Sequence, residues 1–248
     1  MRSRSIEQSR AASSLPLVLS VIAGSVDVIG FLGLGGLFTA HITGNLVVLA
    51  AKVVAGEPAP ISYLFAVPVF MAALALTKLL GGGLEQMRIA SLVPFLFLQA
   101  ILLFAFFILC LAAGRGVDPN TAVMILAGML GVSAMAVQNA LTRISLRDAP
   151  TTAVMTTNIT VFTIDAGEML FGRNAGSIAK ARARAARTWP AIAGFLFGCF
   201  LGAAGEAAFG LKSLALPAGL AFVAVGLGAA SALHDEEGSH WFKRRHQQ

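Results

Sequence analysis

Long runs of apolar residues, separated by short polar segments, are the dominant pattern of this chain. A helix needs about 20 predominantly apolar residues to cross the hydrocarbon core of a bilayer. Six runs meet that length: Leu15–Leu37, Ile61–Leu80, Leu92–Ala113, Thr121–Leu141, Trp189–Leu211 and Leu214–Leu233. They predict an all-α fold, a polytopic bundle of membrane helices.

Two further segments, Phe38–Ala55 and Thr151–Phe171, are long enough to cross but contain several polar and charged side chains. Such side chains are costly in contact with lipid, so these segments should face the interior of the bundle. We predict that each is a broken or re-entrant helix.

An internal repeat relates these two polar segments. The octapeptide Thr39–Leu46 aligns without gaps with Thr152–Ile159, and Thr, Ala, Thr and Asn are identical at four positions. Each copy follows the first span of its half and precedes two more. The pattern indicates one transmembrane domain over 15–233, with repeats over 15–114 and 119–233 and short tails at 1–14 and 234–248. Three crossings per repeat would make the repeats inverted, which is typical of secondary transporters.

The alternative is eight crossings with parallel repeats, and the basic residues favour six. Cytoplasmic loops carry an excess of Lys and Arg. With six crossings and a cytoplasmic N-terminus, three basic residues fall outside: Lys52, Arg115 and Lys212. Eight crossings would move four others outside: Lys78, Arg88, Arg143 and Arg147. Both topologies place both termini in the cytoplasm.

The composition agrees with a membrane protein, since 57% of the residues are hydrophobic and only 12% are charged. Soluble domains carry roughly twice that charged fraction. The net charge of +6 does not indicate nucleic-acid binding, because the basic residues lie between apolar runs. The most basic segment predicts a cytoplasmic loop that attracts anionic lipid headgroups. Its basic residues are Arg173, Lys180, Arg182, Arg184 and Arg187.

The repeated motif supplies candidate site residues for a small solute or ion. Hydroxyl and amide side chains can bind a solute, or can satisfy backbone groups that a helix break leaves free. Gly44 allows a turn or a close approach of the backbone. The other polar candidates in the motif are Thr43, Asn45, Thr156 and Asn158. The alternative is that these groups hydrogen-bond between packed helices.

Ionisable residues inside the membrane add candidates for coupling. Asp27 lies near the middle of the first span, where a carboxylate needs a partner or a polar cavity. At the corresponding place in the second half stand Gln138 and Asn139, which cannot titrate. This asymmetry places proton or cation coupling in the first half, where His41 could relay a proton.

Four more charged residues lie in or beside the predicted spans. Asp165 and Glu168 are one helical turn apart and should share a face. Glu206 and Lys78 stand on equivalent elements of the two repeats and could form a buried pair. The chain has no metal-ligand spacing, nucleophile elbow or phosphate loop. We therefore predict no enzyme activity, metal or cofactor.

The motifs resemble the signature of the YoaK-like family of bacterial membrane proteins, a domain family of unknown function. The resemblance rests on 23–31 with Thr43-Gly44-Asn45, and on 138–140 with Thr156-Thr157-Asn158. It extends from about Leu15 to Leu233 and implies about six spans in a bacterial inner membrane. It implies no activity. Thr157 stands where the family often has Gly, which predicts a less sharp second break.

These observations predict a secondary transporter or channel for a small solute or ion. Its site would lie at the two Thr-x-Asn breaks. The alternative function is a non-transporting scaffold or sensor that binds lipid or a partner protein.

Overall fold

The computed structural model describes the backbone of residues 2–114, 116–147 and 149–245, and the side chains of 14–114, 116–147 and 149–232. Over these residues the chain forms eight α-helices and a 3₁₀ turn. The helices are α1 (Arg2–Gly33), α2 (Ile42–Ala55), α3 (Ser62–Gln86), α4 (Leu92–Ala113), α5 (Ala122–Ile144), α6 (Met155–Phe171), α7 (Ala175–Phe209) and α8 (Ala215–Arg245). The 3₁₀ turn, Gly210–Leu214, joins α7 to α8.

Five helical stretches in the described part of the chain are long and apolar enough to cross a membrane. Four lie in α1, α3, α4 and α5, and the fifth, Ala175–Ala232 with 58 residues, contains α7, the 3₁₀ turn and α8 as far as Ala232. A straight helix of that length would measure about 87 Å, nearly three times the hydrocarbon thickness. The 3₁₀ turn interrupts this stretch. The all-α fold is confirmed, and its long apolar helices agree with the expected membrane bundle.

The polar helices α2 and α6 are shorter than the other six. They have 14 and 17 residues, and hence lengths of about 21 and 26 Å, which fall below the roughly 30 Å of the hydrocarbon core. Each begins inside a segment whose sequence predicted a break.

The basic segment after Phe171 is a helix, so its prediction as a loop is wrong. Helix α7 begins at Ala175, and the Asn174 side chain accepts hydrogen bonds from the amides of Gly176 (2.8 Å) and Ser177 (3.3 Å). An asparagine in this position satisfies donors that the first turn leaves free. Alanine and arginine, which dominate 179–187, are among the strongest helix formers.

Helices α1 and α7 run parallel and in close contact. Gly194 lies against the backbone of Leu17, and Gly202 lies against that of Ser25, so residue numbers rise together along the interface. A methyl group at Gly202 would come within 2.8 Å of the Ser25 Cα atom. The stripe of small residues on α7 therefore packs inside the fold, where only glycine allows this approach.

Helix α5 runs antiparallel to α1 and parallel to α3. The Gln138 side chain donates to the Leu19 carbonyl (2.9 Å), whereas Gly128, earlier in α5, packs against Leu37, which follows α1. At the start of α3, the Ile61 amide donates to the Asn120 side chain, next to the start of α5 (3.1 Å). Helices α3 and α5 thus run parallel, as α1 and α7 do.

Helix α2 belongs to a hairpin that enters and leaves the bundle at the same end. Helix α1 stops at Gly33, and Gly35 and Gly36 follow in the left-handed region, with φ of 68° and 96°. Gly35 packs against both Pro60, which precedes α3, and Pro119, which precedes α5. Residues 34–41 therefore turn back along α1, and α2 returns to the end at which they entered.

Candidate functional site

The Asp27 carboxylate of α1 holds the start of α2. Its Oδ1 accepts hydrogen bonds from the amides of Thr39 (2.8 Å), Ala40 (2.7 Å) and His41 (3.3 Å) and lies 3.4 Å from the Thr39 hydroxyl. Asp27 is only 3% exposed. Its negative charge lies at the positive end of α2, so it supplies from another helix the cap that a helix start requires. The partner that a membrane-embedded carboxylate needs is thus this hairpin.

His41 binds the other oxygen of the same carboxylate. Its Nδ1 lies 2.6 Å from Asp27 Oδ2, and its ring contacts Phe38 and Phe195, with centroid distances of 6.1 and 5.5 Å. An ionised carboxylate can only accept, so Nδ1 carries the proton of this hydrogen bond. The His41 side chain is 42% exposed, against 5% for Asp27. The pair therefore links a buried carboxylate to the surface of the protein.

Asn45 closes the first hairpin. Its amide nitrogen donates to the Phe38 carbonyl (2.8 Å), and its oxygen accepts from the Phe38 amide (2.9 Å). The side chain thereby replaces the backbone partner that the unwound segment lacks. Since the residue is fully buried, these two bonds commit Asn45 to the hairpin.

Asn158 makes the matching closure in a second hairpin, which consists of the non-helical residues 151–154 and α6. Its amide nitrogen donates to the Thr151 carbonyl (2.6 Å), and its oxygen accepts from the Thr151 hydroxyl (3.1 Å). Asn45 and Asn158 thus both reach the residue seven positions earlier, and each lies three positions after the first residue of its helix.

Gln138 holds the second hairpin as Asp27 holds the first, but without a charge. Its amide nitrogen donates to the Thr152 hydroxyl (2.8 Å) and to the Leu19 carbonyl (2.9 Å). Its oxygen accepts from Gln99 of α4 (2.7 Å). Gln99 is not among the residues predicted from the sequence, although it is a lone amide inside the very apolar run of α4.

The remaining residues of the motif lie outside this cluster. Thr43 and Thr156 are exposed on α2 and α6. Asn139 donates to the Met135 carbonyl of its own helix (2.9 Å). Gly44 provides no turn, because it lies within α2 and faces the Phe38 ring.

Thr157 stands at the position that matches Gly44 in the first half, and the helix break before α6 nevertheless lies at the matching position. A Cβ atom at Gly44 would lie 3.0 Å from the ring of Phe38. The position matching Phe38 in the second half is Thr151, whose side chain is smaller and leaves room for Thr157. Helix α6 accordingly begins at Met155, in the same register as α2.

Asp165 and Glu168 share the face of α6 that contacts α7, as their spacing predicted. Both Asp165 oxygens accept from Arg184 Nε, at 3.1 and 3.2 Å, and Asp165 is 1% exposed. The Ser177 hydroxyl donates to Glu168. These bonds tie α6 to the first turns of α7. Arg184, one of the five basic residues predicted to attract lipid headgroups, is therefore bonded to Asp165.

A cavity of about 490 Å³ opens at the end of the bundle where α1 and α7 end and α5 begins. Glu206 and Lys212 line it beside Cys110 and Met124. Among the described side chains, none forms a hydrogen bond or ion pair with Glu206. The predicted pair with Lys78 is absent. Lys78 lies in the C-terminal part of α3, whereas Glu206 lies at the end of the bundle where α3 begins. No group of three or more potential metal ligands occurs among the residues with described positions.

The family comparison agrees with the motifs. The model of the family described as Protein of unknown function (DUF1275) matches residues 15–227, which is most of the chain, and the protein belongs to this family. The resemblance to YoaK-like proteins is thereby confirmed. No curated protein and no solved structure matched the chain. The family's description assigns no activity.

Proposed function

We propose that this member of the family is a secondary transporter for a small solute or ion, built from two inverted repeats of three crossings and one re-entrant hairpin each. The observation that carries the proposal is the pair of matched hairpins, each held inside the bundle by one polar side chain. Paired helix breaks at corresponding places in two repeats mark the substrate site in many transporters.

The direction of the first helix in each half supports the inverted arrangement. Helix α1 is antiparallel to α5, which requires an odd number of crossings between their starting points. Crossings by α1, α3 and α4, with α2 re-entrant, satisfy that requirement. Eight crossings with parallel repeats would make α1 and α5 parallel.

The pattern of helix contacts also supports two equivalent halves. Helix α1 packs against α7 and α8, and its counterpart α5 packs against α3 and α4. Helix α2 packs on α3, as α6 packs on α7. These pairings stay the same when α1–α4 are exchanged in order with α5–α8. A twofold axis in the membrane plane would produce this pattern.

The depth of the two anchors indicates where a solute would bind. The Gln138 anchor reaches α1 at Leu19, and the other anchor is Asp27 itself. Eight residues of helix separate these positions, or about 12 Å. Both helix starts therefore lie in the central part of the bundle, and the cavity lined by Glu206 would be an entrance from one side.

The orientation follows from charge. We infer that both termini lie in the cytoplasm of a bacterial inner membrane, because the basic α7 start then lies inside. The cavity beside Glu206 would open to the outside.

Flux measurements test the proposal. A panel of small cations, anions, amines and neutral solutes would first be screened for a melting-temperature shift in detergent, then for uptake into proteoliposomes. A solute that shifts melting and is taken up by the protein, but not by Asn158→Leu protein of equal folded yield, supports it. Absence of both signals across the panel contradicts it.

A scaffold or sensor that binds lipid is the second candidate. It is favoured by the internal hydrogen bonding of Asn45, Asn158 and Gln138, because both polar atoms of each amide already have a partner within the bundle. Four basic residues beside α6 and on α7 remain available for lipid: Arg173, Lys180, Arg182 and Arg187. Lipid-dependent stabilisation without flux would support this candidate.

A further inference from the structure

We propose that the cavity at the ends of α1 and α7 binds a small zwitterion with an ammonium and a carboxylate group, of the class of amino acids with apolar side chains. This inference rests on the proposed transport function and names its substrate class. It is carried by Glu206 and Lys212, two opposite charges that line one cavity and form no ion pair with each other.

The Glu206 carboxylate lies beside the end of α1. A methyl group at Gly33, the last residue of α1, would lie 3.8 Å from Glu206 Oε1. The last carbonyls of a helix have no partner within it and carry partial negative charge. Among the described residues, no backbone amide beyond α1 donates to the carbonyls of Leu32 or Gly33. A carboxylate with such neighbours is stabilised by a bound cation.

The end of α4 adds to the negative potential in this cavity. Leu111 of its last turn and Gly114, at which α4 ends, both line the cavity. A helix end is equivalent to about half an elementary charge, negative at the C-terminus and positive at the N-terminus. Met124 brings the positive start of α5 to the same cavity, where the Thr121 hydroxyl accepts from the Met124 amide (3.4 Å). Two negative helix ends and a carboxylate therefore oppose one positive helix end, and the space around Glu206 favours an ammonium group.

Lys212 supplies the opposite charge nearer to the surface. It is exposed in the 3₁₀ turn between α7 and α8, whereas Glu206 is half-buried. Among the described side chains, no carboxylate forms an ion pair with Lys212. A solute with the complementary pair of charges would place its ammonium group towards Glu206 and its carboxylate towards Lys212. An ammonium group can donate three hydrogen bonds and a carboxylate only accepts them, so each end finds a matching partner.

The size and walls of the cavity indicate the rest of the solute. Its volume of about 490 Å³ falls within the roughly 300–1,000 Å³ of small-molecule sites. An apolar side chain of the solute would contact the apolar walls, whereas an additional charged group would lose water without gaining a partner. The apolar lining residues include Leu32, Cys110, Leu111, Met124 and Phe209.

One more basic residue adjoins the cavity in the sequence. Arg115 stands between the lining residues Gly114 and Gly116 and lies outside the described residues. The proposal assigns recognition of the carboxylate to Lys212, whose position is described. Arg115→Gln is therefore a separate variant in the test.

Binding to the detergent-solubilised protein tests the site without requiring transport. Alanine, leucine and phenylalanine are titrated at pH 7, and each is compared with the amine that lacks its carboxylate and the acid that lacks its amine. The tightest amino acid should bind at least about tenfold more tightly than its amine or its acid, the factor expected for losing one charge-assisted hydrogen bond.

Two variants assign the two ends of the solute. Glu206→Gln should weaken the amino acid and the amine alike, by about tenfold or more, and Lys212→Gln should weaken the amino acid to the affinity of its amine. Glu57→Gln removes an exposed carboxylate that does not line the cavity, and should bind as the wild type does. Melting without solute verifies that each variant is folded.

The site is overturned if none of the three amino acids binds, if the amine binds as tightly as the amino acid, or if Glu206→Gln leaves affinity unchanged. Loss of the carboxylate preference in Arg115→Gln but not in Lys212→Gln overturns the role of Lys212. The Lys212 variant keeps the test decisive if Glu206→Gln fails to fold.

Uptake into proteoliposomes separates this inference from the proposed function. An amino acid that binds through Glu206 and is not taken up leaves the site standing and removes transport of that solute class. Uptake of a different solute, with no amino acid bound, overturns the zwitterion site and leaves the transport function standing.

Discussion

Asn45 and Asn158 make the same contact in the two halves of the chain, since each amide nitrogen donates to the carbonyl seven residues earlier, at 2.8 and 2.6 Å. The two residues were candidates for binding a solute. Their bonds instead hold a chain reversal inside the bundle, where unpaired backbone groups would otherwise be left without water. A function that needs these hairpins intact depends on both residues, even if neither touches a ligand.

Replacing Asn45 by leucine should destabilise the protein by about 2–3 kcal/mol, because two buried backbone groups of Phe38 lose their partners. Thr43→Val, two residues earlier and exposed, should change stability by less than about 0.5 kcal/mol. Thermal unfolding in one detergent measures both. Equal melting temperatures for the two variants would contradict the closing role of Asn45.

The contact between α1 and α7 makes a second prediction. Gly202→Ala should lower stability by about 1–3 kcal/mol, since its methyl group would meet the Ser25 backbone. Gly219→Ala on α8 adds the same methyl group where no atom lies within 4 Å, and should be neutral or stabilising. Unfolding of the matched pair separates packing from helix propensity. Equal effects would argue against the close contact.

Cysteine labelling distinguishes six crossings from eight. In a background lacking Cys110 and Cys199, Glu57→Cys should react with an impermeant maleimide from outside the cell, and Ile89→Cys only after the membrane is opened. This is the result for a re-entrant α2. The reverse pattern at the two positions would establish a full crossing by α2.

Anionic lipid should stabilise the protein through the exposed basic residues near the start of α7. Such a charge near an anionic surface contributes about 1 kcal/mol. Melting should rise in nanodiscs containing phosphatidylglycerol relative to phosphatidylcholine alone. The gain should shrink when Arg182 and Arg187 become glutamine. A gain unchanged in this variant, or equal in 0.5 M salt, would exclude the electrostatic contact.

The sequence by itself identified the membrane helices, because about 20 apolar residues in succession have few other stable environments. The polar segments were also evident, since a charge or amide inside such a chain needs a partner. The repeated octapeptide located both hairpins within a few residues. The basic residues of 173–187 indicate a loop beside the membrane, whereas the helix propensity of alanine and arginine decides the structure of this segment, and α7 begins at Ala175.

The identity of each partner was decided by the tertiary structure. Asp27 and His41 are 14 positions apart, and they meet because two left-handed glycines turn the chain back along α1. Gln99 meets Gln138 only because α4 packs on α5. Composition and spacing determine that a polar group must be satisfied. Which group satisfies it depends on the direction and register of packed helices, and these are long-range properties that no local pattern encodes.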